Sequence, residues 1–259
     1  MRDTAKEVCN MDIFIMGDSI FGGPPKLNVE YPPFELLDAV TNYDIYGNMN
    51  KPPYAGQEAV DDYYLEQKVW RERAGENGCG YVPVVSPGYN DRGVRLIKNN
   101  IGLSHRLTNS SAPGTLFVAQ LQKARNLVDP AMEGLLIVNS FNEWHEDTQI
   151  EPVVGESTNL PLQMTNGIQY DGYGELYLNI LRAETCDVNC ENRKKLPPIP
   201  EGITVGAYYY PWHGDDFHRF GGYLRDLLEP RHQPVLGEYD DTRPEVIAQH
   251  LAWSRQANI

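Results

Sequence analysis

The sequence predicts an α/β fold organised on a parallel sheet, and three observations predict it. Short apolar runs alternate with longer amphipathic segments in the order strand, helix, strand, helix, strand, helix. Each run is followed by a polar or aromatic cluster: Asp18/Ser19, Tyr46/Asn48, Tyr89/Asp91/Arg92 and Glu143/Glu146. With right-handed crossovers those clusters collect at the carboxyl ends of the strands, as on the rim of a barrel. Third, the apolar run Leu135 to Val138 opens without a break into a cluster holding Asn142, Glu143, Trp144, His145 and Glu146.

In chain order, Asp12 to Gly17 reads as a buried strand, and the Pro/Gly-rich stretch from Gly22 to Pro33 as a loop. Phe34 to Val40 reads as a short helix, Tyr43 to Tyr46 as a second strand and Gly47 to Gly56 as a long loop. Glu58 to Ala74 is a helix with Val60, Tyr64, Val69 and Trp70 on one face, stopped at Gly75 and Gly78. Gly80 to Val85 is a strand, Thr115 to Val128 a helix with Leu116, Ala119, Leu121 and Ala124 on its apolar side, and Leu135 to Val138 a strand. Gly172 to Ala183 follows as a helix. Cys186 to Gly202, crowded with prolines, reads as an interdomain linker. Beyond it Ile203 to Tyr210 is a new strand, and Arg243 to Arg255 a helix with Thr242 as N-cap and Pro244 in its first turn.

At 259 residues and 41% hydrophobic content the chain can bury a sizeable core. A formal charge of −14 argues against nucleic acid and anionic membrane surfaces, which would repel it. No run approaches the ~18 apolar residues of a membrane span, and the first residues do not read as a signal peptide. The 16 tyrosines pair an apolar ring with a hydroxyl, which suits sugar faces as well as strands. Of the four cysteines, Cys186 and Cys190 are spaced for a small disulfide loop, and no pair has zinc-finger spacing.

Glu143 and Glu146, three apart at a strand end, can converge on one pocket if the backbone turns there. Two carboxylates at one glycosidic bond supply an acid and a base or nucleophile. A metal site at His145 would lack further ligands, because no second histidine stands at ligand spacing, and Ser140 lacks the turn motif of a serine nucleophile. The run Tyr208 to Trp212 suits either a sugar-stacking platform or a strand with an aromatic rim.

The stretch Ser140-Phe-Asn-Glu-Trp-His-Glu-Asp-Thr-Gln-Ile-Glu-Pro152, with Val84 to Asp91 upstream of it, resembles the signature of glycoside hydrolase family 99, the endo-α-mannosidases. Val205 to Gly214 and Pro234 to Asp240 resemble that family's amino-terminal strand and following loop. The amino-terminal hallmark therefore follows the carboxy-terminal one. The resemblance implies a parallel (β/α)8 TIM-type barrel, incomplete or permuted in this chain. Residues 1–185 would be the C-terminal half of one barrel, 186–202 a linker, and 203–259 the start of a second; a circular permutation is the alternative.

It further implies a retaining, endo-acting, metal- and cofactor-independent α-mannosidase acting on an α-mannoside glycan. Glu143 would be the base on the sugar 2-hydroxyl, and Glu146 the acid on the leaving oxygen and then the base on water. Tyr46, Tyr89, Asn142, Trp144 and His145 would line the site, with Tyr209 and Trp212 matching the first-strand rim. A secretory or extracellular setting is implied by the resemblance and the Cys186/Cys190 pair. Other expectations consistent with these residues are an inactive carbohydrate-binding or structural barrel fragment, and a glycosyltransferase-associated barrel of polysaccharide gene clusters. A half-barrel leaves open sheet edges, which predicts self-association.

Overall fold

In a computed structural model of the chain, the structure describes residues 2–18, 34–49, 53–93, 102–156, 168–186, 202–214 and 231–259. The strands described are β1 (Met16–Asp18), β2 (Ala39–Thr41), β3 (Gly80–Tyr81), β4 (Val84–Val85), β5 (Leu135–Val138) and β6 (Thr204–Ala207). They form two three-stranded sheets, β1-β2-β3 and β4-β5-β6, and every pairing is parallel. β3 and β4 are the two ends of one extended run. Val82 donates its N–H to Val40 O (2.9 Å), and Ile137 donates to Pro83 O (3.0 Å). The ladder thus passes between the sheets at Pro83, which has no N–H to give.

The helices among the described residues are α1 (Arg2–Cys9), α2 (Ile45–Asn48), α3 (Gly56–Glu76), α4 (Thr115–Ala124), α5 (Leu176–Thr185) and α6 (Pro244–Ala257). α3 buries Val60, Tyr63, Tyr64, Gln67, Trp70 and Ala74, a stripe at i, i+3, i+4, i+7 spacing. Val69, expected on that face, lies off the stripe and is exposed. Leu116, Ala119, Leu121 and Ala124 of α4 are all buried, as their spacing predicts. Gln120, on the same helix, is wholly buried against the end of β4. Its Oε1 accepts from Ser86 N (3.0 Å) and its Nε2 donates to Ser86 O (2.6 Å), so one side chain satisfies both backbone groups of the residue leaving the strand. A buried Arg125–Glu184 pair (3.1 Å) ties the end of α4 to α5.

Several elements differ from expectation for local reasons. The first strand is displaced to Met16–Asp18, because Ile15 N donates to the Asp38 carboxylate (2.6 Å) and Phe14 is left exposed. The helix expected over 34–40 is one 3-10 turn, Phe34–Leu36, after which Ala39 and Val40 enter β2. Tyr43 to Tyr46 is not a strand: the Asp44 side chain accepts from Gly47 N (2.9 Å) and caps α2. α4 and β6 end sooner than expected. α5 starts at Leu176, because the residues before it bond to the loop after β5, as in Val153 N to Gly174 O (3.3 Å). Thr242 is not the N-cap of α6. Its N–H and hydroxyl both donate to Asp240 Oδ1 (2.8 and 2.6 Å), and Arg243 takes the cap position before Pro244.

The expected loop over 22–33, Ser19, Cys190 and most of the linker lie outside the described residues. Cys186 is disulfide-bonded, whereas Cys9 and Cys79 are free. No helix is long and apolar enough to cross a membrane among the described residues. β6 and α6 pack on the rest of the chain, β6 beside β5 and α6 against α5.

Candidate active site

Parallel strands place the segments after β2, β4, β5 and β6 at one end of the sheets, and hydrogen bonds join them there. Asn139 Nδ2 donates to Tyr43 O (2.9 Å), Asn90 N to Glu146 O (2.7 Å), and Phe141 N to Tyr208 O (2.8 Å). The segment after β5 closes on itself. Ser140 N donates to Thr148 O (2.8 Å), the Ser140 and Thr148 hydroxyls meet at 2.8 Å, and Glu143 N donates to Ser140 Oγ (2.8 Å). Ser140 is therefore a loop pin. At its far end the loop rests on a buried imidazole: His105 Nε2 meets Asp147 O (2.9 Å) and its Nδ1 meets Tyr177 Oη (2.6 Å). Burial alone would pull His105 down, but the Asp147 carboxylate (3.3 Å) outweighs it and raises the imidazole above its ordinary value.

The two glutamates sit in different surroundings. Glu143 is buried, 3% exposed, and its Oε1 accepts from both the backbone N–H (2.9 Å) and Nδ1 (3.1 Å) of His145. Glu146 is half-buried, and its Oε2 accepts from two phenols, Tyr43 Oη (3.3 Å) and Tyr46 Oη (3.2 Å). Tyr43 Oη in turn accepts from Tyr210 Oη (2.5 Å), giving a relay of hydroxyls that ends on the carboxylate. Burial first, and then the Glu146 charge, raises Tyr43 and Tyr46 well above the usual phenol range, so both stay protonated donors. Burial pushes Tyr208, whose ring lies 5.1 Å edge-on to Tyr43, up to about 12.

Among the residues singled out in the sequence, Tyr46 and Tyr89 stack face to face (3.9 Å between centroids) beside Glu146. Asn142 bonds reciprocally with the backbone of Tyr210: Nδ2 donates to Tyr210 O (3.0 Å), and Oδ1 accepts from Tyr210 N (2.8 Å). His145 stacks on His213 (5.7 Å) and meets the edge of Trp212 (6.0 Å), whose half-exposed ring leans over Tyr210 (4.7 Å). Trp144 is buried away from this surface, with its indole N–H on Glu151 Oε2 (2.7 Å). Tyr209 is set apart too. On extended backbone successive side chains alternate, so Tyr208 and Tyr210 turn to Tyr43 while Tyr209 Oη bonds Asp241 Oδ1 (3.0 Å) and meets His250 Nδ1 (2.9 Å).

Sequence reasoning missed Tyr43, Tyr210 and His213. The period-2 rule applied to Tyr208–Tyr210 would have favoured Tyr210 over Tyr209. The ring of His213 is buried, which pulls it below its ordinary value; its Nε2 donates to Asn142 O (2.9 Å) and keeps the loop's backbone in place. No group of three or more His, Cys, Asp or Glu side chains among the described residues is arranged to hold a metal ion. The arrangement offers two oriented carboxylates, a run of phenol donors and a half-exposed indole, the equipment for acid–base work on a hydroxyl-rich ligand.

No family model matches the chain. It is 34% identical over 83 residues to a glycoprotein endo-alpha-1,2-mannosidase-like protein of Danio rerio, and 35% identical over 82 residues to one of Mus musculus. Each match takes in 32% of this chain, and the chain spans only 16% of the length of these curated relatives. Over that stretch the chain is related to endo-α-mannosidase-like proteins. Among solved structures it is similar to a glycoside hydrolase-like protein (23% identity, TM-score 0.44, covering 71% of this chain and 47% of that one). It is also similar to the GH99 endo-alpha-mannosidase from Bacteroides thetaiotaomicron (20% identity, TM-score 0.34, covering 54% and 35%).

Proposed function

We propose that the site is that of a retaining, endo-acting, metal-independent α-mannosidase-like glycoside hydrolase, and that the sheets belong to a (β/α)8 barrel. The observation that carries this reading is the unequal dressing of two carboxylates in one loop, Glu143 by His145 and Glu146 by two phenols. Glu143 takes the proton of the sugar 2-hydroxyl, whose oxygen attacks the anomeric carbon. The glycosidic C–O bond breaks as Glu146 protonates the departing oxygen. Water, deprotonated by Glu146, then opens the 1,2-anhydro sugar, and Glu143 returns its proton to O2. Tyr46, backed by Tyr89, and the half-exposed Trp212 supply ring surface for sugar.

The boundaries 1–185, 186–202 and 203–259 belong to the same proposal, read as the permuted arrangement of one barrel and not as the start of a second. In this chain the first strand of the last segment lies beside the strand bearing the carboxylates, as the first and last strands of a closing barrel do. Hydrolysis of an α-mannoside oligosaccharide by the 259-residue chain, lost in both Glu143→Gln and Glu146→Gln, is the expected result. Binding of the oligosaccharide by calorimetry without turnover would show an inactive carbohydrate-binding module instead, and no binding at all would refute both. Light scattering tests the self-association expected of an incomplete barrel; a monodisperse monomer would refute it.

A further inference from the structure

Glu151 is 0% exposed, and a carboxylate out of water needs donors. It has two hydrogen-bond donors and one imidazole at ion-pair distance, from three parts of the chain. Trp144 Nε1 donates to Oε2 (2.7 Å) from the carboxylate loop, Tyr239 Oη donates to the same oxygen (2.7 Å) from the segment before α6, and His250 Nε2 lies 3.3 Å from Oε1 on α6 itself. Its backbone is fixed as well, with N donating to Phe141 O (2.9 Å) and O accepting from Tyr173 Oη (3.0 Å). With no exposure to substrate, it can influence the site only through what it holds. The side chain it holds most directly belongs to Trp144, which lies between Glu143 and Glu146 in sequence and whose backbone N–H donates to Asn142 O (3.1 Å).

We propose that Glu151 is a positioning residue: by anchoring the Trp144 indole to Tyr239 and His250, it fixes the turn that aims Glu143 and Glu146. The function assigned to that turn rests on the hydrolase reading; the anchoring does not. A purely structural carboxylate would stabilise the fold without setting the geometry of the loop. A positioning one acts through Trp144, so removing either partner should have the same effect.

The test uses the whole chain uniformly labelled with 15N. Its 4 Trp indole signals are separable, and Trp144→Phe identifies the one from Trp144. In Glu151→Gln, the Trp144 indole signal should move and exchange with D2O at least about 10-fold faster, with displaced amide signals for Glu143, His145 and Glu146. On an α-mannoside oligosaccharide, kcat should fall about 10-fold or more with KM within about 2-fold and a displaced pH profile. In a Trp144→Phe background, Glu151→Gln should cost nothing further. Should Glu151→Gln not fold, Tyr239→Phe removes one donor and should give the same spectral changes in smaller measure. Unchanged indole and loop signals in the folded variants, or kcat losses that multiply, would overturn the proposal. A native chain that does not hydrolyse the oligosaccharide would overturn the hydrolase reading alone, and the spectra would still decide the role of Glu151.

Discussion

Gln120→Leu tests how the end of β4, which leads to Tyr89, is fixed. The amide serves Ser86 N (3.0 Å) and Ser86 O (2.6 Å), and both residues are buried. Leucine fills nearly the same volume but leaves two backbone groups unpaired, at roughly 1–3 kcal/mol each. The apolar gain of the leucine offsets about 1–2 kcal/mol, for a net loss of about 2–3 kcal/mol at the middle of both ranges. Gln120→Glu separates polarity from charge. A neutral carboxyl can accept from Ser86 N and donate to Ser86 O; an ionised one cannot donate and faces a carbonyl. The folded chain therefore holds the introduced carboxyl protonated, above its unfolded value of about 4.3. The penalty grows by about 1.36 kcal/mol per pH unit as pH rises above the unfolded value, until the folded value is passed. The variant should match the parent below the unfolded value and lose stability as pH rises. Urea unfolding followed by circular dichroism, compared with the parent at each pH, measures this. A Gln120→Glu chain as destabilised at about pH 4.5 as at pH 7, or a Gln120→Leu chain within about 0.5 kcal/mol of the parent, would refute the reasoning.

Removing the hydroxyl of Tyr43 breaks both its bond to Glu146 and the relay from Tyr210, so Tyr43→Phe should lower α-mannoside hydrolysis about 10-fold, and Tyr210→Phe less, in steady-state assays. A Cβ at Gly88 would lie 2.1 Å from His105 Cδ2 and 2.9 Å from Leu103 O, so Gly88→Ala should cost about 1–3 kcal/mol, read by thermal or urea unfolding. The raised His105 is stabilising below its unfolded value near 6.5, and that contribution is lost as pH rises through its folded value. Asp147→Asn should therefore cost more stability at about pH 5.5 than at about pH 8.5, read as the difference in urea midpoint from the parent.

The parts of the fold legible in the sequence were those set by local periodicity. The buried stripe of α3, the apolar side of α4 and the run Leu135–Val138 each state their structure within a few residues. The errors fall where one polar side chain overrides a short apolar pattern, as Asp44 does at Tyr43–Tyr46 and Asp38 does at Ile15. The carboxylates and Tyr46, Tyr89, Asn142 and His145 could be picked out because each follows a strand. Glu151 stood within the signature, but its role could not be read there, since its donor Tyr239 and its neighbour His250 lie roughly ninety to a hundred residues on. Alternation along the strand favours Tyr210 over Tyr209, but that it meets Tyr43 depends on the β5–β6 pairing.

That pairing separates connectivity from neighbourhood. β6 needs to lie against Leu135–Val138, and nothing in the four-residue register from Leu135↔Thr204 to Val138↔Ala207 depends on a peptide link between the two segments. Severing the backbone between residues 186 and 202 should leave two polypeptides that remain associated through that ladder, the Glu151 bond to Tyr239 with His250 beside it, and the packing of α5 on α6. A gene encoding these strands in another order could yield the same rim, because the rim depends on which strands are adjacent and not on the order in which the ribosome makes them.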